Sequence, residues 1–291
     1  MNGWLLVDKP IGITSFQAIN KFKKLLDVKT GHCGTLDPFA SGFLLVALGK
    51  ATKLVEYAMN FEKNYTFAVK WGVSTDSDDL TGNVVGNCQI IPTKQQIADK
   101  LECFIGEIDQ VPPIFSAVKV KGRKAYEYAR KGEELILKSK KVHLKKFSLL
   151  SHENDLSTFN IVTNKGFYVR ALARDFAKSL NTLAHVVELR RNQSGIFENM
   201  DMINAEATKD FLHNDELYDY ISSRILPLDY VLDDIPVYNL DVSDAKKLKN
   251  GQFVFHQLLL GNDSRVAIKS NNELVALCMY TDGYLKPTKT F

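Results

Sequence analysis

The sequence predicts an α+β protein: a mixed, mainly antiparallel sheet domain with helices, followed by a small β-rich unit. Three observations carry that class. Residues 65 to 73 alternate Tyr65, Phe67, Val69, Trp71 and Val73 with Thr66, Ala68, Lys70 and Gly72, the period of two that a half-buried strand imposes. Strand and helix patterns then intermingle without the regular beat of a βαβ protein. From about residue 227 the texture changes. RVAIKSNNELVALCMYTDGYLKP alternates short apolar runs with turns containing Asn and Gly, which reads as a string of short strands.

Taken in order, Thr14 and Gln17 form a capping box for a first helix, with Phe16, Ile19, Phe22, Leu25 and Leu26 expected on one inward face. The strand at 65–73 follows, then the loop STDSDDLTGN and a strand-like NVVG. Thr93 and Gln96 cap a second helix, with Ile97, Leu101 and Ile105 inward. SAVKVKGRKAYEYARKGEE reads as a short strand, a turn at Lys121-Gly122 and a helix ended by Gly132. Strands are expected around 142–150 and 158–163. In NKGFYVRALARDFAKSL the stripe Val169, Leu172, Ala173, Phe176 and Leu180 marks a helix. LPLDYVLDDIP reads as a linker, so the domains are placed at 1–226 and 227–291, the second opening with a short helix DAKKLKNG.

Composition excludes several classes. A chain of 291 residues with 45% hydrophobic content suits a folded protein of one large and one small domain. No stretch approaches the roughly 20 apolar residues of a membrane span, and MNGWLLVDKP is too short for a signal peptide, so the expected location is cytoplasmic. Cys33, Cys88, Cys103 and Cys278 lack metal-ligand spacing, which predicts free thiols and no metal. The net charge of +3 conceals an asymmetry. Residues 119–146 hold eleven Lys/Arg against three Glu, whereas 198–244 hold twelve Asp/Glu against Lys209 and Arg224. The basic segment, with Tyr126 and Tyr128 inside it, suits a polyanion. Charge alone leaves a solvated helix face equally open.

Some residues invite chemistry. Asp37 lies in GHCGTLDPFASG as the only local acid, before Pro38, which biases it towards extended backbone. It could cap a helix beginning at Pro38 or act on a substrate, and the local sequence leaves both open. His32 and Cys33 are adjacent in an extended segment and point to opposite sides, which argues against a hydrolase dyad. Asp76, Asp78 and Asp79 suggest a cation loop, but Leu80 and Thr81 stand where a calcium loop needs an oxygen ligand and a glycine, so a solvated turn is expected. Arg170 falls in the first turn of its helix, against the helix dipole, and so calls for a partner such as a buried carboxylate, or else lies free on the surface. Tyr65 reads first as ordinary core, and Leu189-Arg190-Arg191 as an ordinary helix end.

The segments LLVDKPIGITS, GHCGTLDPFASGFLLVALGKATK, KNYTFAVKWGVSTDSDDLTG, VPPIFSAVKVKGRKAYEYAR, KGFYVRALARD and ELRRNQSGIF together resemble the successive motifs of the TruB family, bacterial tRNA pseudouridine-55 synthases. The resemblance spans residues 5 to about 197 and implies a pseudouridine-synthase core with a PUA-like C-terminal domain. It implies isomerisation of one uridine in the TΨC arm of tRNA, by a monomer without cofactor or metal. Asp37 matches the essential carboxylate, Tyr65 the residue that stacks on the flipped base, and Arg170 the partner of the acid. His32 matches the residue that fills the space left in the RNA. Leu189 and Tyr168 match the lining of the base pocket. Lys9, Lys119, Arg123, Lys124 and Arg191 are the expected further contacts to RNA, and the glycines at 31, 34 and 42 would let backbone approach it closely. Cys33 stands where the family has Thr or Ser, and Phe39 where it has Leu. The rivals are a non-catalytic tRNA-binding factor, which would not need Asp37, Tyr65 and Arg170 together, and a glycoside hydrolase, which would need a second acid beside Asp37.

Overall fold

The structure is a computed structural model that describes residues 1–197, 200–206 and 214–291, the side chains of residues 21 and 214 excepted. Parts of the acidic stretch, 198–199 and 207–213, lie outside the described residues. In chain order the strands of the first sheet are β1 (Gly3–Lys9), β2 (Thr30–Cys33), β3 (Ser41–Leu48) and β4 (Lys63–Trp71). A hairpin of β5 (Val73–Thr75) and β6 (Val84–Asn87) follows, then β7 (Gly106–Gln110) and a second small hairpin of β8 (Lys119–Val120) and β9 (Arg123–Lys124). The first sheet closes with β10 (Lys140–Glu153), β11 (Leu156–Thr163), β12 (Ala184–Ser194) and β13 (Ile203–Asn204). The helices used below are α1 (Ser15–Leu26), α2 (Val55–Met59), α3 (Lys94–Leu101), α4 (Ala125–Ala129), α5 (Val169–Ser179), α6 (Asn214–Ser222) and α7 (Val242–Lys249).

The sheet runs in the order β13-β1-β3-β12-β4-β11-β10-β7. Among the described residues only β1–β13 and β12–β3 of this sheet pair in parallel, so it is mixed and mainly antiparallel, as the interspersed patterns predict. Residues of β1 and β3 are buried on both faces: Trp4, Leu6, Phe43, Leu45 and Ala47 join one core cluster, Leu5, Val7, Leu44, Val46 and Leu48 another. That double burial explains why GWLLV and FLLVAL read as continuous apolar runs rather than alternations. One edge of β3 is shared. Ser41 and Gly42 pair with Arg190 and Arg191 of β12, and from Leu45 onward β2 takes that edge. The loop of residues 34–40, which joins β2 to β3, therefore sits where the sheet forks.

Both expected capping boxes form, Thr14 with Gln17 and Thr93 with Gln96. The inward face of α1 differs from expectation at one end. Ser15, Ala18, Ile19, Phe22 and Leu26 are buried, but Phe16 is 62% exposed. At about 100° per residue the buried set centres roughly 100° around the helix from Phe16, which puts that ring on the rim. Ile105 is likewise exposed, because α3 ends at Leu101 and Ile105 lies beyond the following 3-10 turn. The strand from Tyr65 breaks at Gly72, whose φ of 81° turns the chain into β5. Leu189-Arg190-Arg191, read as a helix end, lies inside β12, where it pairs with β4.

The expected linker is instead packed. Trp4 and Leu226 exchange backbone hydrogen bonds of 2.9 and 2.8 Å, and the Trp4 indole donates to the Leu228 carbonyl at 2.8 Å. Val231, Leu232 and Ile235 are buried in the cluster that holds Trp4, Phe43 and Phe197. A second sheet follows, ordered β14 (Val237–Asn239), β16 (Ser264–Ser270), β17 (Glu273–Thr281), β18 (Tyr284–Thr290) and β15 (Val254–Phe255). Its Ala267, Leu274 and Leu277, with Phe291, join the same cluster. The chain thus spends apolar residues, not polar spacers, between its two sheets. No described helix is long and apolar enough to cross a membrane.

Candidate active site

Asp37 stands in the loop at the sheet fork, and two helix N-termini grip that loop from either side. From α1, Ser15 Oγ donates to the Leu36 carbonyl at 3.0 Å and accepts from the Leu36 amide at 2.8 Å. The Gly12 amide donates to the Pro38 carbonyl at 2.8 Å. From α5, the Arg170 guanidinium places Nη2 2.8 Å from Asp37 Oδ2. Leu36, Phe39 and Ala40 are buried in the core cluster under α5, so the loop carries its own anchor. No helix starts at Pro38; a turn closes there, with the Ala40 amide donating to the Asp37 carbonyl at 3.1 Å. The capping reading of Asp37 falls, since there is no helix to cap.

Arg170 is 4% exposed, and each arm of its fork is doubly used. Nη2 meets Asp37 and donates to the Phe115 carbonyl at 3.0 Å; Nη1 lies 3.2 Å from Asp79 Oδ2 and donates to the Ser77 carbonyl at 2.9 Å. A planar guanidinium suits two carboxylates and two carbonyls held in fixed directions. The expected solvated turn is thus corrected. Asp79 is 3% exposed, and its Oδ1 accepts from Ser77 Oγ (2.7 Å), the Thr81 amide (2.9 Å) and Thr81 Oγ1 (2.6 Å). Asp78, with φ of 59°, turns the other way and meets Arg174 at 2.9 Å. Among the described residues no group of His, Cys, Asp and Glu is arranged to hold a metal.

Asp37 is about one-third exposed at its side chain, which leaves one carboxylate face open to a substrate. Burial pushes its carboxyl above the usual carboxylate range; the Arg170 charge opposes this, the Asp79 charge adds to it, and Lys9 opposes it more weakly. The arginine therefore moderates the shift without reversing it. Asp79, spent on four partners and closed to solvent, cannot serve as the second acid of a glycoside hydrolase.

Tyr65 is half-buried on β4, paired with Ile161 and Arg191 and packed on the same cluster as Leu36 and Phe39. Leu189, at 8% exposure, belongs to that cluster. Tyr168 is the N-cap of α5, its amide and carbonyl both held by the Gln110 side chain at 2.8 and 3.1 Å. Burial raises the Tyr168 hydroxyl above its ordinary pKa, the charge of Asp37 adding to the effect. His32 is half-buried in β2, its Nδ1 enclosed without a hydrogen-bond partner among the described residues; burial, aided by Arg191, lowers its pKa and keeps it neutral. The neighbouring Cys33 is buried and its thiol is pushed up to about 12, which leaves no thiolate nucleophile.

Two expected RNA contacts are corrected. Lys9 is fully buried; its Nζ donates to the carbonyls of Pro10 and Ile13 at 2.8 Å and of Pro38 at 3.4 Å, and burial lowers its pKa to about 8. Arg191 is 1% exposed, with Nε donating to the Phe43 carbonyl at 2.7 Å and Nη2 to that of Gly34 at 3.0 Å. Both cations brace the loop from beneath, because the backbone carbonyls of a fork have no ladder partner and need donors. The glycines at 34 and 42 serve the same packing. Their φ values are 83° and 101°, and a Cβ on Gly42 would lie 2.2 Å from the Arg191 carbonyl oxygen. Lys119, by contrast, is exposed, and Arg123 and Lys124 are partly so. They lie on the β8–β9 hairpin, where Arg123 sits 4.0 Å over the Tyr128 ring and Lys124 and Arg130 flank Tyr126 at 5.5 and 5.3 Å.

The sequence reading takes Asp79 for part of a solvated turn and misses Ser15 and Gln110. The only local signal was Asp79 in a polar loop, and polarity there reads as solvation.

Comparison with known proteins bears on this arrangement. The model of the TruB family pseudouridylate synthase N-terminal domain matches residues 21–169, and that of the tRNA pseudouridylate synthase B C-terminal domain matches residues 170–233. The tRNA pseudouridine synthase B of Rhodospirillum rubrum is 41% identical over 299 residues, covering 99% of this chain and 96% of the relative. That of Ehrlichia chaffeensis is 39% identical, covering 100% and 99%. Among solved structures, a chain from the crystal structure of a Cbf5-Nop10-Gar1 complex is 26% identical with a TM-score of 0.73, covering 99% of this chain and 84% of that one.

Proposed function

The chain belongs to the TruB family of pseudouridylate synthases and is an isomerase of tRNA uridine; from that premise we propose that its target is uridine 55 of the TΨC loop and that Asp37 performs the chemistry. The observation that carries this reading is one partly exposed carboxylate aimed by a buried arginine, with an aromatic side chain, Tyr65, packed beside its loop. A uridine inside a folded RNA loop cannot reach such a recessed acid, so the base is extruded into the pocket at a cost of a few kcal/mol. Tyr65 stacks on the extruded ring, Leu189 and Tyr168 line it, and His32, neutral and compact, takes the space left in the loop.

The reaction conserves every heavy atom. Asp37 acts at the ribose to break N1–C1′; the base turns in place; C5 bonds to C1′. The C5 proton then leaves, a step we assign to Tyr65, and N1 gains a proton. No electrons change hands between molecules, so one ionised carboxylate beside the extruded base suffices. The exposed cations of the β8–β9 hairpin and α4 supply phosphate contacts, and the A-form shape of the arm supplies recognition. We read residues 1–226 as the catalytic domain and 227–291 as a PUA-like domain docked on it, a division that the two separate sheets support.

The test is tritium release from a tRNA transcript labelled at uridine C5. The wild type should release tritium from one TΨC-loop uridine, and Asp37→Ala should release none while still binding the tRNA. Turnover by Asp37→Ala would refute the catalytic role. Tight binding without release by the wild type would favour an RNA-binding factor.

A further inference from the structure

We propose that the exposed rim of α1 is an RNA-contact track: Phe16, flanked by Ile11, stacks on a nucleobase beside the extruded uridine, and Lys23 and Lys24 take backbone phosphates further along. The inference rests on the reading of RNA as substrate, and it assigns a surface which that reading does not use.

Single exposed apolar side chains are ordinary. This pair differs in its placement. Phe16 is 62% and Ile11 68% exposed, yet each adjoins a residue bonded to the loop of Asp37. Ser15, next to Phe16, holds both polar groups of the Leu36 backbone, and Gly12, next to Ile11, donates to Pro38. Lys9 ties Pro10, Ile13 and Pro38 together from beneath. Two bare hydrophobic groups are thus rigidly fixed to the segment that must meet the substrate. The helix itself gives Phe16 no role: Thr14 and Gln17 make the cap, and Ile13, the residue before it, packs into the core under α1.

Charge continues the track. Lys23 and Lys24 are exposed in the last turn of α1. They lie within about 80° of Phe16 around the axis and roughly 10–12 Å along it. An aromatic platform followed by cations is the combination that holds a nucleic-acid strand, stacking on bases and neutralising phosphates. A protein partner would be served by the apolar pair alone, and the lysines favour the polyanion that the enzyme already binds.

Affinity for a tRNA transcript, measured with the full-length protein at several salt concentrations, tests this. Wild-type binding is the reference, since its absence would sink the RNA substrate itself and not only this surface. Phe16→Ala should weaken binding about 5- to 160-fold, the range expected for one stacked base, with an unchanged salt slope and an unchanged single-turnover rate at saturating enzyme. Lys23→Gln with Lys24→Gln should reduce the slope of log affinity against log salt by between about 1 and 2. Phe16→Trp should bind like the wild type, and tRNA should quench its fluorescence; the native Trp4 and Trp71 are buried and insensitive to contact. Wild-type affinity in Phe16→Ala, or no quenching in Phe16→Trp, would overturn the proposal. Should Phe16→Ala also lower the unfolding midpoint, the Phe16→Trp fluorescence decides alone.

Discussion

Replacing Arg170 by lysine keeps the charge and removes the fork. Arg170 now serves Asp37 and the Phe115 carbonyl with one nitrogen, Asp79 and the Ser77 carbonyl with the other. A lysine has a single nitrogen, so it can follow only one of these arms and must leave one carboxylate without its cation. Hydrogen bonds to charged groups contribute about 1.5–3 kcal/mol each, and stripping one partner from a buried pair costs about 3–5 kcal/mol. The upper end is discounted here because the positive charge remains in the pocket and Asp37 is one-third exposed, so water can reach it. A loss of about 2–4 kcal/mol in transition-state stabilisation remains, which is roughly 30- to 1000-fold in kcat/KM at 1.36 kcal/mol per decade. Tritium release under single-turnover conditions, with tRNA affinity measured in parallel, reads it directly. The loss should fall on the chemical rate and not on affinity, since Arg170 is buried and touches no solvent-facing phosphate site. A rate within threefold of the wild type would refute the argument that bidentate aim matters.

Asp79→Asn keeps an acceptor for Thr81 and Ser77 but removes the charge facing Arg170; we expect a lowered chemical rate by roughly tenfold or more, and a wild-type rate would show that Asp79 only shapes its loop. The pH profile separates the two acids. In the proposed mechanism Asp37 acts ionised, and its carboxyl is raised by burial and by Asp79, so kcat/KM should fall as pH drops through a limb above the usual carboxylate range. Removing the like charge in Asp79→Asn should move that limb to lower pH, and a limb that stays put would show that the two carboxylates are not coupled. Ser15→Ala leaves the buried Leu36 amide without its acceptor; urea denaturation should show a loss of about 1–3 kcal/mol, with turnover reduced, and an unchanged midpoint would mean the loop has other support.

The elements that were legible in the sequence are those whose signal is local. The alternation from Tyr65 reports β4 because a strand shows its faces every second residue. The pairs Thr14/Gln17 and Thr93/Gln96 report helix starts because a cap is closed within four residues. Arg170 in a first turn announced an unsatisfied need, since its conflict with the dipole is local too, and the motif order pointed to Asp37 as the partner. What the local pattern could not report is who covers a charged group. Lys9 and Arg191 look like surface cations, yet both are buried under a loop whose carbonyls need their donors. Asp79 looks solvated, yet a buried arginine from a distant helix lies against it. Phe16 lies on the apolar stripe in sequence but on the rim in space, because α1 presents a narrower face to β1 and β3 than its periodicity suggests. By itself, then, the sequence determined most of the elements and pointed to Asp37 with Arg170 as acid and partner; the tertiary structure alone decided the second carboxylate, the bracing cations and the docked linker. The physical reason is range: helical and strand periods are set within a few residues, whereas burial of a charge depends on which strand edges meet at the fork of β3, and those edges, β2 at Thr30–Cys33 and β12 at Ala184–Ser194, lie far apart in the sequence.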